Sequence, residues 1–297
     1  MTEIVMALSV LALAGPAGTE TQADPHAGHA METQAAKPAQ AAVDPALPPD
    51  AGRAAEAIKA SPRHGEYVDV KVPGSSTPIV TWVVYPERKE KAGVVIVIHE
   101  IFGLTDWVRG VADQLAKDGF IAVAPDLLSG KGPNGGGSAE LGQDGAVKVI
   151  RTVTPEEVTK ALDAVRDYAT KLPAANGKSG VVGFCWGGSN SFAYATNQPA
   201  LAAAVVYYGT SPAEAGAYAR IEAPVLGLYG GDDARVDATI PTATENMKKL
   251  GRPYEPHVFE GAGHGFLRQQ DGKDGANRKA TEEAWPLTIA FLKEHLK

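Results

Sequence analysis

What this chain has least of is cysteine: a single one, Cys185, in 297 residues. One thiol excludes an intramolecular disulfide and any paired-cysteine metal site. It leaves either a buried filler or a reactive group, and a redox role is weakened because no second cysteine could resolve an oxidised one. Basic runs are missing too. Net charge is −7, of which the first 60 residues carry −4 through seven acids against three bases. Without a basic patch interleaved with aromatics, nothing marks a nucleic-acid partner. No apolar run reaches the length needed to span a bilayer, so stable membrane insertion is not expected. No internal repeat and no cofactor motif stand out, and no cofactor is expected.

The chain opens with an apolar segment, Ile4 to Ala14, followed by small residues. That is the pattern of a secretory signal with cleavage near Ala17 or Ala23, so residues 1–23 are expected to be a signal peptide and the protein periplasmic or secreted. Glu3 stands where a basic residue belongs, and an uncleaved N-terminus would leave the protein cytoplasmic. Residues 24–60, rich in Ala, Pro, Gln and Asp, show no sustained apolar period and predict a disordered linker. His26, His29 and Met31 within it form at most a weak soft-metal motif, and the folded part is expected to hold no metal.

From residue 61 the texture changes. "GVVIVIHE", "FIAVAPD", "GVVGFC", "LAAAVVYYG" and "APVLGLYGG" are apolar runs of the kind expected of parallel strands buried on both faces. Between them lie amphipathic segments. One of these opens with Thr154 as cap, Pro155 in first position and Glu157 completing a capping box. Alternation of this kind predicts one α/β domain over 61–297, a mainly parallel sheet with helices on both faces. The stretch 129–147, "SGKGPNGGGSAELGQDGAV", holds too many glycines for regular structure and reads as a mobile surface loop. In the last segment Pro286 either kinks the helix or starts its regular part.

Three features carry chemistry. "GFCWG" places Cys185 between Gly183 and Gly187 at a strand-to-helix turn, the logic of a nucleophile elbow. The helix that follows points its positive end at the thiol, which favours thiolate. "YGGDDARVD" offers Asp232, Asp233 and Asp237 after a later strand, and "GAGHGF" sets His264 after the last. Nucleophile, acid and histidine therefore occur in the order of an α/β-hydrolase triad. Asp233 fits best as the residue that orients His264.

Together "HEIFGL", "PDL", "GFCWGG", "GGDDARV" and "GAGHGF" resemble the dienelactone hydrolase family of α/β-hydrolases over essentially all of the chain after residue 65. The resemblance implies an α/β-hydrolase fold and hydrolysis of a small-molecule ester or lactone through a thioester on Cys185, with His264 as base and Asp233 as its orienting acid. It implies that Glu100 contacts the thiol and helps deprotonate it when substrate arrives. It further implies an oxyanion hole from the backbone amides of Ile101 and Trp186 and a substrate carboxylate held by Arg268; His99, next to Glu100, is expected to support the oxyanion loop. The family's second carboxylate-binding arginine has no clear counterpart, Arg151 being the only one near the glycine-rich segment. A monomer is favoured. The alternatives are a non-catalytic binding module of the cell envelope on the same fold, or a general carboxylesterase or thioesterase.

Overall fold

A computed structural model of the chain describes residues 44–297. The signal-peptide reading, His26, His29 and the linker up to residue 43 lie outside the described residues. In chain order the elements are α1 (Ala54–Ala60), β1 (Gly65–Val70), β2 (Ile79–Val84), β3 (Ala92–Ile98), α2 (Asp106–Lys117), β4 (Ile121–Pro125), α3 (Ser138–Val149) and α4 (Pro155–Thr170). There follow β5 (Ala175–Phe184), α5 (Trp186–Asn197), β6 (Ala203–Tyr207), β7 (Val225–Gly230), α6 (Ala234–Asp237), α7 (Ile240–Lys249), β8 (Tyr254–Phe259) and α8 (Ala276–His295).

The strands form one eight-stranded sheet in the order β1-β2-β4-β3-β5-β6-β7-β8. β2 runs antiparallel to both of its neighbours, and every pairing from β4 to β8 is parallel. β3 shows why the centre of the sheet reads as unbroken hydrophobicity. Val95 and Val97 pack into a core with Trp107 and Leu115 of α2 and Trp285 and Leu292 of α8. Val94, Ile96 and Ile98 turn to the opposite face, against Leu162 and Val165 of α4 and Phe192 of α5. Each such side chain contributes on the order of 2 kcal/mol by leaving water. The capping box of α4 is present, the Glu157 amide donating to Thr154 Oγ1 at 3.2 Å and the Thr154 amide to Glu157 Oε2 at 2.8 Å.

Three expectations are corrected. Residues 44–60 are ordered and not a disordered linker: Leu47 and Ala54 join the core and α1 packs on α2. The contacts are isolated and have no sequence period to reveal them. Within 129–147, Ser138 opens α3, because Asp126 anchors its start: Ser138 donates to that carboxylate through N (2.7 Å) and Oγ (2.6 Å). Gly142, at φ 62°, interrupts α3 where the glycines do have their effect. Lastly, of the two alternatives at Pro286, a helix start is excluded: α8 runs through it from Ala276 to His295. Only the hydrogen bond to the carbonyl of Glu282 is lost there, on an exposed turn. No helix among the described residues is long and apolar enough to cross a membrane.

Candidate active site

The parallel strands deliver their following loops to one edge of the sheet, as open α/β sheets do. Cys185 stands between β5 and α5 with φ 56° and ψ −116°, a backbone conformation that costs a β-carbon residue about 1–3 kcal/mol. The glycines around it are sterically required. A Cβ on Gly183 would lie 1.9 Å from the carbonyl oxygen of Gly187, and one on Gly187 would lie 2.3 Å from that of Ile98. The turn is held by the Cys185 amide donating to Tyr207 O at 3.1 Å.

The thiol departs from expectation. Burial, and after it the Glu100 carboxylate, push Cys185 up to about 11. The Trp186 amide, at the start of α5, and the Arg235 guanidinium pull the other way but are outweighed. In the free protein the group is a thiol at neutral pH.

His264 and Asp233 meet as the chain order suggested. His264 Nδ1 lies 2.5 Å from Asp233 Oδ2. A carboxylate can only accept, so Nδ1 carries a proton and the ring is oriented with Nε2 pointing away from Asp233. Of the other acids, Asp232 pairs with Lys273 at the surface, and Asp237 sits in α6 with its amide on Asp233 O at 3.0 Å. Asp233 is thus the acid that meets the imidazole.

Glu100, two residues beyond β3, is buried, and that burial lifts its carboxyl to about 7 against the opposing pull of Arg268. Arg268 Nε stands 2.8 Å from Glu100 Oε2, and the guanidinium lies over the Phe102 ring at 4.9 Å. The Nε–H is not aimed at the oxygen, so this is an ion pair and not a directed hydrogen bond. The two residues that the resemblance assigned to thiol and substrate are therefore engaged with each other.

The oxyanion loop is fixed from behind by His99, which is fully buried and held neutral by that burial. Its Nδ1 donates to Glu100 O at 2.7 Å, and its Nε2 accepts the Leu127 amide at 3.1 Å, which defines the tautomer. The His99 ring stacks on Trp186 at 5.7 Å, so that indole has a packing role beside its amide. The side chains of Ile101 and Trp186 pack against one small cluster of Leu128, Ala146 and Ile150. Arg151 lies exposed in the turn after α3.

Tyr208 was not legible as a site residue. It follows β6 at φ 38°, fully buried, with a hydroxyl that has no hydrogen-bond partner. Its ring meets His264 edge-on at 5.2 Å; burial raises its pKa first, then Glu100, Cys185 and Tyr207, with Arg268 opposing. The tyrosine pair in "VVYYG" was the only available signal, and it reads as strand. Among the described residues no group of three or more His, Cys, Asp or Glu side chains could hold a metal ion. Beside Arg268 lies a cavity of about 470 Å³, walled by Tyr67, Phe102, Trp107, Arg109 and Ala51 among others.

The dienelactone hydrolase family profile matches residues 79–296. The chain belongs to the dienelactone hydrolase family. A Methylorubrum extorquens relative named as a carboxymethylenebutenolidase is 30% identical over 246 residues, covering 76% of this chain and 80% of its own. One of the same name from Saccharolobus solfataricus is 30% identical over 240 residues, covering 70% and 91%. The crystal structure of a dienelactone hydrolase from Klebsiella pneumoniae superposes with a TM-score of 0.69 at 25% identity, covering 78% of this chain and 98% of that one.

Proposed function

We propose that this protein hydrolyses carboxylic esters or lactones through a thioester on Cys185. The observation that carries the proposal is the backbone of Cys185 itself: a strained, positive-φ cysteine between glycines that admit no side chain, set at the end of a central parallel strand. Packing alone would not hold a small hydrophobe there. The name borne by the relatives, carboxymethylenebutenolidase, denotes opening of an unsaturated lactone, and it supports the same reaction class here.

The chemistry follows from the resting state. With Cys185 at about 11 and Glu100 at about 7, moving the proton from thiol to carboxylate is uphill by about 5 kcal/mol. Substrate supplies the difference. An anionic group on the substrate draws Arg268 from Glu100, the carboxylate becomes more basic, and it takes the thiol proton as sulfur approaches the carbonyl. The Sγ–C bond forms while the carbonyl π pair moves to oxygen, where the Ile101 and Trp186 amides receive it; one such donor is worth about 3 kcal/mol. Collapse breaks the C–O bond, and the leaving oxygen takes up the proton. Water then attacks the thioester with His264 Nε2 accepting its proton, and Asp233 stabilises the imidazolium. Expulsion of sulfur and its reprotonation restore the thiol.

Replacing Cys185 by Ala is expected to abolish turnover of an activated ester and of a butenolide while leaving the melting temperature within a few degrees. Full activity in Cys185→Ala would overturn the proposal. On the apolar segment at residues 4–14 we propose export as well, which mass measurement of the mature N-terminus tests directly.

A further inference from the structure

Residues 44–60 lie ahead of the region that matches the family profile, yet they are tied to the loop that carries Arg268. The Ala51 amide donates to Arg268 O at 3.0 Å, and Gln270 Nε2, almost fully buried, donates to Pro48 O at 2.9 Å. The other side of the segment is held by α2. Lys117 Nζ donates to Pro45 O at 2.6 Å, and Ser61 Oγ and Arg63 both engage Asp113. Ala54 is fully buried and meets Gly110, where a Cβ would stand 3.6 Å away.

Between these anchors the segment is not simply packed away. Ala51 is exposed, and it lines the 470 Å³ cavity on which Arg268, Phe102 and Arg109 also open. Leu47 and Ala54 brace the fold; residue 51 faces the space next to the arginine that holds Glu100.

We propose that the cavity beside Arg268 takes the acyl group of the substrate and that residues 44–60 are its fixed wall, a specificity-determining segment that limits the size of that group and sets the backbone of Arg268. This rests on the ester-hydrolase reading above. The class of substrate it implies is an ester or lactone with a short acyl group, because a wall tied at both ends does not retreat for a long chain.

The test uses the full chain with a 4-nitrophenyl ester series from acetyl to hexanoyl, together with one ester that bears a carboxylate. Ala51→Trp adds bulk on an exposed position, so the fold is spared. It is expected to lower kcat/KM for the longer acyl esters by about tenfold while the acetyl ester stays within about twofold of wild type. Ala51→Pro removes the amide that holds Arg268 O. It is expected to raise KM for the carboxylate-bearing ester with kcat, and the acetyl ester, little changed. Acyl-length and charge profiles that superimpose on wild type in both active variants would overturn the proposal alone. Wild-type protein that hydrolyses none of the esters, or a Cys185→Ala control as active as wild type, overturns the hydrolase reading and this proposal with it.

Discussion

Burial lifts Cys185 to about 11, with Glu100 adding to that shift, and lifts Glu100 to about 7 against the pull of Arg268; the direction of each shift can be measured. Alkylation by iodoacetamide is expected to be slow at pH 7 and to rise with a midpoint well above 9, the ordinary value for a thiol. Glu100→Gln removes the second-largest cause of that shift and should move the midpoint down; an unmoved midpoint would show that the carboxylate does not act on the thiol. Asp233 makes a different contribution, that of fixing the His264 ring. Asp233→Asn is expected to keep the fold and lower kcat by about 10³-fold or more, since the ring loses its preferred tautomer. Stopped turnover assays would read it. Burst kinetics would show which half-reaction suffers. Much of this was visible in sequence, because Cys185, Asp233 and His264 each stand close to glycines in the chain order of a hydrolase triad. The Glu100–Arg268 pair and Tyr208 were not. Pairing across such a chain separation, and a phenol whose hydroxyl has no partner, leave no local pattern to find.

At the scale of elements, the turn joining β5 to α5 is the least tolerant point in the fold. Gly183→Ala would drive a methyl into Gly187 O, and Gly187→Ala into Ile98 O; each is expected to destabilise by about 3 kcal/mol or more, as thermal unfolding would show. Gly135→Ala is a control: it has open space for a Cβ but a positive φ of 78°, so a cost nearer 1 kcal/mol is expected. The buried strands were readable because both faces are covered, which makes every residue apolar. α3 was not, since its start depends on Asp126 accepting from Ser138, a contact between segments, and its glycines argue locally for a loop. The ordered segment at 44–60 escaped notice for a similar reason. Its fixity comes from partners in α2 and in the His264–α8 loop and not from its own Ala and Pro residues.

For the whole molecule, burying Glu100 links folding to pH. Its folded pKa, about 7, exceeds the ordinary 4.5, so the folded state binds the proton more tightly than the unfolded one. The stabilisation is complete below pH 4.5 and is lost as pH rises through 7, by about 3 kcal/mol in all. Chemical denaturation from pH 5 to 8 should show that decline, and Glu100→Gln should flatten it; a slope unchanged in the variant would place the titrating group elsewhere. The same arrangement has a consequence for the lifetime of the enzyme. Peroxide and disulfides attack the thiolate form of cysteine, and burial keeps that form scarce at Cys185. On the proposed mechanism the thiolate arises only with substrate bound, and the chain's only cysteine is then expected to outlast a permanently ionised one in dilute peroxide.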